Sequence, residues 1–258
     1  MDQQIIYAFL FTVFIIFLTW IWSIKINNYS IIDAVWSYAF ALHAAVFLSF
    51  AKPAGLRHVV LFSMLVLWSL RLGFFLTRRL SQHHPIEDTR YQKLRHDYGH
   101  NVKIRFLIFF IYQAISVSIL TLPFAFAFKN SRTDLNYFEI AGALLWLTSL
   151  AGESIADAQM SRFKSDPLNK GKVCNIGLWN YSRHPNYFFE SLIWFGYFIF
   201  WMGTDLYWGI YAPLVILYLL LKVTGVPPSE EQSLKSRGDL YRQYQARTSV
   251  FVPWFPKK

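Results

Sequence analysis

The residues that could do chemistry crowd into one stretch, GLWNYSRHPNYFFE. Pro185 stands where a first-turn proline would begin a helix, so Asn186 and Glu190 share one face of that helix at i, i+4. Arg183 and His184 come just before it, and the positive end of a helix beside an arginine suits a phosphate. An interfacial anchor would explain the aromatic residues, but not two polar side chains entering an apolar run. We therefore predict a functional site here.

A second polar pair, Glu153 and Asp157, lies near the end of an apolar run and is followed by Arg162 and Lys164. Carboxylates inside a membrane helix are costly and usually face a cavity or a partner. Asp157 could accept hydrogen bonds from a ribose hydroxyl or an amide. A structural ion pair with an arginine is the alternative, and for Glu153 the two interpretations weigh equally.

Three other features carry less chemistry. Arg71 lies two turns before the end of its apolar run, where snorkelling to the interface is the stronger interpretation. Residues 87–91 (EDTRY) form a polar connector, typical of a solvated face or a local salt-bridge network. Ser229, Glu230 and Glu231 favour the start of an amphipathic helix, which would either cover a pocket or lie on the membrane surface.

Several motifs are absent from the sequence. There is no dinucleotide-binding or phosphate-binding glycine loop, no zinc-protease motif and no nucleophile elbow. His96 and His100 are four residues apart, but Gly99 between them weakens a helix, so we predict no metal site. The one cysteine, Cys174, excludes an intrachain disulfide.

The composition indicates the kind of protein in which these residues lie. The chain has 258 residues, of which 55% are hydrophobic and 16% charged. A soluble domain of this length buries so much apolar surface only with difficulty, whereas a lipid-facing surface needs no burial. The net charge is +10 and the basic residues lie between apolar runs, so the positive-inside rule explains them better than nucleic-acid binding.

We expect an all-α integral membrane protein of about seven transmembrane helices, with the N-terminus outside and the C-terminus cytosolic. The first run begins with almost no basic residues and no cleavage site, so it is interpreted as a retained helix. A single domain is expected, with helices 1–3 and a connector in residues 1–105 and cofactor-binding helices 4–7 in residues 106–258. The seven apolar runs are 5–24, 31–51, 57–77, 106–128, 138–158, 187–203 and 206–224.

Taken together, the motifs resemble the bacterial branch of the steroid 5α-reductase family over residues 33–256. Besides the stretch quoted above, these are A-D-x-Q-x-x-x-F from Ala156, W-S-x-R-L-G from Trp68, E-D-x-R-Y from Glu87 and the ending R-G-x-x-Y-x-x-Y-x-x-x-T-x-x-F-x-P-W-x-P. The R-H-P-N-Y piece alone is less specific, because isoprenylcysteine methyltransferases and sterol reductases are similar there.

The resemblance implies a seven-helix, NADPH-dependent reductase of an enone such as a 3-oxo-Δ4-steroid or a related lipid. Hydride would go to the β-carbon while a donor stabilises the enolate oxygen. Glu153 departs from a position that is commonly Asn, and Lys164 stands where an Arg is usual. The residues that the resemblance assigns to the cofactor are Arg71, Asp157, Arg162, Lys164, Tyr181, Arg183, His184, Asn186, Tyr187, Glu190, Glu230 and Arg237.

The group that would polarise a ketone is less clear from the resemblance, because the second helix has no Gln-Glu pair and Trp68 replaces a tyrosine. His43, Tyr38, Trp68 and Asp33 are the candidates, although a lone helix histidine is more often structural. The expected partners are a hydrophobic small molecule and membrane lipid, and no nucleic acid. We expect a monomer in the bacterial inner membrane, with its cofactor side facing the cytosol. The alternatives are an isoprenylcysteine-type methyltransferase using S-adenosylmethionine and a non-enzymatic lipid-binding protein.

Overall fold

The computed structural model describes residues 2–257, except for the side chain of His83, and these residues are mainly helical. Among them no β-strand occurs, and an isolated parallel bridge pairs Ser182 with Ser249. The chain divides into two compact units, Met1–Leu135 and Asn136–Lys258. The expected all-α class is therefore confirmed.

The first unit contains five α-helices. They are α1 (Gln3–Lys25), α2 (Ile31–Phe50), α3 (Leu56–His83), the short α4 (Thr89–Tyr98) and α5 (Val102–Lys129). Part of its core is aromatic: Tyr29 stacks on Phe106 with ring centroids 3.8 Å apart, and the buried Tyr91 packs in the same cluster.

Helix α4 is the polar connector predicted from residues 87–91. Asp88 caps it by accepting a hydrogen bond from the Arg90 amide at 3.0 Å. Arg90 also reaches Asp33 on α2 at 2.8 Å, and Tyr91 donates to the same carboxylate. The connector is thus a salt-bridge network within the first unit, which agrees with its structural interpretation.

The second unit contains α6 (Tyr137–Ser165), α7 (Leu178–Tyr181), α8 (Pro185–Met202), α9 (Tyr211–Tyr218), α10 (Val226–Arg237) and α11 (Asp239–Arg247), with a π-helical turn at Leu219–Val223. A reciprocal cap starts α6: Asn136 accepts from the Glu139 amide, and Glu139 accepts from the Asn136 amide.

Helices α6 and α8 approach each other closely through two glycines. A Cβ atom at Gly142 would lie 2.5 Å from the backbone nitrogen of Phe200, and one at Gly196 would lie 2.9 Å from the backbone nitrogen of Trp146. No side chain fits in these places, so the glycines set the spacing of the two helices that carry the polar pairs.

The number of candidate spans corrects the sequence expectation. All seven apolar runs fall on helices, but within residues 2–257 only five helical segments are long and apolar enough to cross a membrane. The polar second half of α6, with Glu153 and Asp157, lowers its hydropathy, and α8 has 18 residues and begins with polar ones. The five segments are Gln3–Lys25, Ile31–Phe50, Leu56–Gln82, Thr89–Lys129 and Tyr207–Arg237.

These segments mark an integral membrane protein. The expected orientation of the two termini was derived from seven crossings, one for each apolar run. Five candidate spans therefore do not support that orientation.

Candidate functional site

The candidate site surrounds the start of α8, and local sequence explains its shape. Gly177 has φ +55°, a left-handed conformation that favours glycine, and it begins the short helix α7. The His184 amide donates to Ser182 Oγ at 3.1 Å. Pro185 is then the first residue of α8, which confirms the predicted helix start.

Glu230 on α10 is the centre of a hydrogen-bond cluster at this start. Arg183 donates from Nε to Glu230 Oε1 at 2.7 Å and from Nη2 to Oε2 at 3.3 Å. His184 Nε2 lies 3.1 Å from the same Oε1. Arg183 and Glu230 are largely buried and His184 is buried. The cluster therefore joins the tail of the chain to the segment that enters α8.

Helix α11 completes the cluster. Tyr241 donates to Glu230 Oε1 at 3.1 Å, and Gln245 donates to Oε2 at 2.6 Å. Arg183 Nη1 donates to the backbone carbonyls of Gln245 and Thr248 at 2.9 and 2.8 Å. Burial and the Glu230 carboxylate raise the pKa of Tyr241 above its ordinary value, so its hydroxyl stays a donor. Most donors of Arg183 are thus engaged within the protein.

The pair Asp157 and Asn186 lies where α6 and α8 meet. Asn186 Nδ2 is 3.4 Å from Asp157 Oδ1, at the long end of a hydrogen bond. Asn186 Oδ1 is buried and has no hydrogen-bond partner in the structure, as far as residues 2–257 describe it. Such an acceptor is costly to leave empty, which points to a ligand donor.

Two more carboxylates lie on the same helices. Glu190 follows Asn186 by one turn, as predicted, and its Oε1 accepts from Trp194 Nε1 at 3.0 Å. Glu153, one turn before Asp157, is buried. Both carboxylates lie within electrostatic range of the buried Tyr197 hydroxyl. The interior faces of α6 and α8 are therefore acidic.

The remaining candidates of the second unit lie around this centre. Tyr187 stacks on His184 and its hydroxyl is 3.1 Å from Ser229 Oγ. Arg237 donates to the Lys172 carbonyl at 2.9 Å. Tyr181 is exposed, and its carbonyl accepts from the Trp254 amide.

Arg162 and Lys164 are also exposed, at the C-terminal end of α6. They remain candidates for binding an anionic group of a ligand.

The candidates in the first unit are held by structural contacts. His43 is buried, with Nε2 at 2.8 Å from Thr12 Oγ1 and Nδ1 at 2.7 Å from Thr121 Oγ1. Trp68 is buried edge-on against Phe40.

Tyr38, another of these candidates, lies 3.3 Å from Thr77 Oγ1 through its hydroxyl. Asp33 belongs to the connector network, and Arg71 lies on α3.

The sequence interpretation missed Gln245, which makes the shortest contact to Glu230 from α11. A signal was present: Tyr241 and Gln245 are four residues apart and so share one face of a helix. The sequence interpretation also gave Gln159 no role beyond its place in a motif. Its Oε1 accepts a hydrogen bond from the Leu178 amide at 2.9 Å and holds the start of α7.

The comparisons with known proteins identify a family. The profile described as "Protein of unknown function (DUF1295)" matches residues 19–248, so the chain belongs to that family. An uncharacterized protein of Schizosaccharomyces pombe is 26% identical over 90% of this chain and 75% of its own length. Methanethiol S-methyltransferase 1 of Bradyrhizobium diazoefficiens is 28% identical over 54% of this chain and 43% of its own length. No solved structure matches.

These matches correct the expected reductase. The chain belongs to the DUF1295 family and is similar to a methyltransferase, so the predictions of steroid 5α-reductase membership, NADPH and oxidoreductase activity are wrong. The R-H-P-N-Y motif explains the error, since reductases and methyltransferases are similar there. The roles of His43, Tyr38 and Trp68 as ketone-polarising groups were inferred from that resemblance, and without it nothing supports them.

Proposed function

We propose that this chain is a membrane methyltransferase that uses S-adenosylmethionine to methylate a thiol. One observation carries the proposal: at the start of α8, Asn186 contacts Asp157 through Nδ2 and keeps a buried Oδ1 that has no hydrogen-bond partner in the described structure. The similarity to a methanethiol S-methyltransferase over about half of the chain supports the reaction class and the thiol acceptor.

The residues present fit this cofactor. S-adenosylmethionine carries an ammonium, a ribose diol, a carboxylate and a sulfonium. The Asp157 carboxylate and Asn186 Oδ1 are acceptors for the ammonium or a ribose hydroxyl, and a cofactor donor would satisfy the buried Oδ1. A buried acceptor without a partner costs about 1–3 kcal/mol, which such a donor would relieve.

The start of α8 supplies the complementary charge. Pro185 has no amide hydrogen, and the amides of Asn186 and Tyr187 belong to the first turn, at the positive end of the helix dipole. This end suits the carboxylate of the cofactor. In this proposal Arg183 and Glu230 hold the segment that enters α8 in place instead of contacting the ligand.

The acidic interior of α6 and α8 suits both partners of the reaction. When bound, S-adenosylmethionine would supply an electrophilic methyl group on its positively charged sulfur, and S-adenosylhomocysteine would be the leaving group. A thiol must lose its proton to attack, and we assign Glu190 as the acceptor of that proton, because Trp194 fixes its carboxylate one turn from Asn186. Glu153 is a further buried carboxyl group on the same face of α6, one turn from Asp157.

The position in the membrane is part of the proposal. The segments around residues 162–183 and after residue 235 are rich in Lys and Arg, which supports a cytosolic site in a bacterial inner membrane. In that arrangement α6 and α8 cross the membrane in addition to the five apolar spans, with their polar residues facing the protein interior.

The test is binding of S-adenosylmethionine to the purified full chain in detergent, measured by equilibrium dialysis. We expect saturable binding that weakens at least about tenfold in Asp157→Asn and in Asn186→Ala. The matched controls are Asp239→Asn and Asn175→Ala, both at exposed positions of the same unit. Absent binding by the wild type, or equal affinity in all four variants, would contradict the proposal.

The acceptor is tested separately with 1-octanethiol and octanoate, which share a chain length and differ in the reacting group. Methyl transfer to the thiol with little transfer to the carboxylate supports the assignment. Glu190→Gln should lower kcat while leaving S-adenosylmethionine affinity within about twofold. Equal use of both acceptors would overturn the assigned substrate class while leaving cofactor binding intact.

A further inference from the structure

A cavity of about 330 Å³ lies in the first unit where α1 begins and α5 ends. It belongs to a different unit from the candidate site and shares no residue with it. Both charged and apolar groups line it, namely Asp2, Gln3, Gln4, Phe50 and Lys129.

Gln4 is the unusual residue of this cavity, because its side chain is polar and only 3% exposed. Its Nε2 donates to the Ala125 carbonyl at 3.0 Å, which fixes the carboxamide against α5. Its Oε1 is buried and accepts no hydrogen bond in the described structure. A buried acceptor without a hydrogen bond costs free energy, so a donor from a ligand would stabilise Gln4 Oε1.

One basic and one acidic side chain lie at the mouth of the cavity. Lys129 Nζ lies 2.8 Å from Asp2 Oδ1, and both side chains are partly exposed. A partly exposed ion pair contributes little to stability, so its two partners can exchange for the opposite charges of a zwitterion. Such a ligand would present an anion to Lys129 and a cation to Asp2 and Gln4.

The apolar part of the surroundings identifies the source of that zwitterion. Phe50 is 40% exposed and Tyr7 is 45% exposed, with their ring centroids 6.0 Å apart. Helices α1, α2 and α5 all belong to candidate membrane spans, so their exposed apolar side chains face lipid chains. A zwitterion joined to acyl chains fits both parts of this surface.

We infer that the cavity binds the headgroup of a phosphatidylethanolamine, with its phosphate at Lys129 and its ammonium between Asp2 and Gln4 Oε1. The primary ammonium matters, because the acceptor on Gln4 needs an N–H donor. The quaternary ammonium of phosphatidylcholine has the same charge without a donor. Phosphatidylglycerol has a phosphate without an ammonium.

The experiment is native mass spectrometry of the full chain in detergent, titrated with each of the three lipids carrying identical acyl chains. We expect phosphatidylethanolamine to be retained about tenfold more tightly than the other two. Gln4→Met keeps the length of the side chain and removes one of the two acceptors, so the preference over phosphatidylcholine should fall although the Asp2 carboxylate remains. Lys129→Gln should weaken binding of all three lipids, because each carries the phosphate.

Gln82→Met is the matched control, because Gln82 is an exposed glutamine at the far end of α3. It should leave all three affinities unchanged. Equal retention of phosphatidylethanolamine and phosphatidylcholine by the wild type would overturn the inference. A preference that is undiminished in Gln4→Met would overturn it too. The thermal midpoint of each variant shows whether it is folded, and Lys129→Gln tests the phosphate contact without disturbing the buried amide.

Discussion

Arg183 Nε donates to Glu230 Oε1 at 2.7 Å, across 47 positions of sequence, and so joins the start of α8 to α10. Both side chains are largely buried, and the same carboxylate also contacts His184, Tyr241 and Gln245. A single glutamate thus holds three segments of the second unit together at the candidate site.

Glu230→Gln should destabilise the second unit by about 3 kcal/mol, because it leaves the buried Arg183 without its countercharge. The measurement is thermal unfolding in detergent, followed by circular dichroism. Glu231→Gln is the control: Glu231 is exposed and pairs with Lys235 at 2.6 Å, so its loss should cost less than about 1 kcal/mol. Equal midpoints for the two variants would contradict the role of Glu230.

Alkaline pH should weaken the second unit through two tyrosines of α11. Burial and Glu230 raise the pKa of Tyr241, and burial and Tyr241 raise the pKa of Tyr244, both above the ordinary value of 10.0. The folded state therefore favours the neutral phenols. Their contribution to stability is complete below pH about 10 and is lost as pH rises toward the higher folded-state pKa.

The check is the free energy of unfolding measured from pH 8 to 11. Tyr244→Phe should flatten the loss above pH 10, and it also removes the hydrogen bond from the Tyr244 hydroxyl to the Trp179 carbonyl. Tyr137→Phe changes an exposed tyrosine and should leave the slope as in the wild type. A wild-type slope in Tyr244→Phe would show that the titration arises elsewhere.

Gly142→Ala should separate α6 from α8 and destabilise the protein by about 1–3 kcal/mol, because its Cβ would lie 2.5 Å from the backbone of Phe200. Backbone atoms on both sides cannot rotate away. Ala141→Leu, at the exposed neighbouring position, should change stability little. Unfolding midpoints test the pair, and S-adenosylmethionine affinity should fall with Gly142→Ala if the helix spacing sets the site.

Asp33→Ala should release the connector helix α4. It removes the carboxylate that binds Arg90 at 2.8 Å and Tyr91. Since Arg90 is well exposed, we expect a local cost of about 1 kcal/mol and about fivefold faster amide exchange within residues 89–98. Asp97→Ala, on the exposed side of the same helix, should leave exchange unchanged. Hydrogen-exchange mass spectrometry distinguishes the outcomes.

The chemistry of the site shows a limit of motif analysis. The R-H-P-N-Y motif predicted correctly where α8 begins, since proline at the first turn is a local signal. It did not distinguish the NADPH that the resemblance implied from the S-adenosylmethionine that we propose. Both cofactors carry ribose and anionic groups that a helix start with Asp157 and Asn186 can accept, so the motif describes a kind of binding surface and not a reaction.

The sequence by itself determined the long apolar helices and the start of α8, because an apolar run and a first-turn proline are local signals. It also determined that Asn186 and Glu190 share a face, which follows from helix geometry alone. Only the tertiary structure decided that Glu230 meets Arg183 and Gln245, that Asn186 faces Asp157, and that both nitrogens of His43 are engaged by threonines. These contacts join residues that are 15 to 78 positions apart in the sequence. Such pairings depend on how whole helices pack against each other, which no local signal determines.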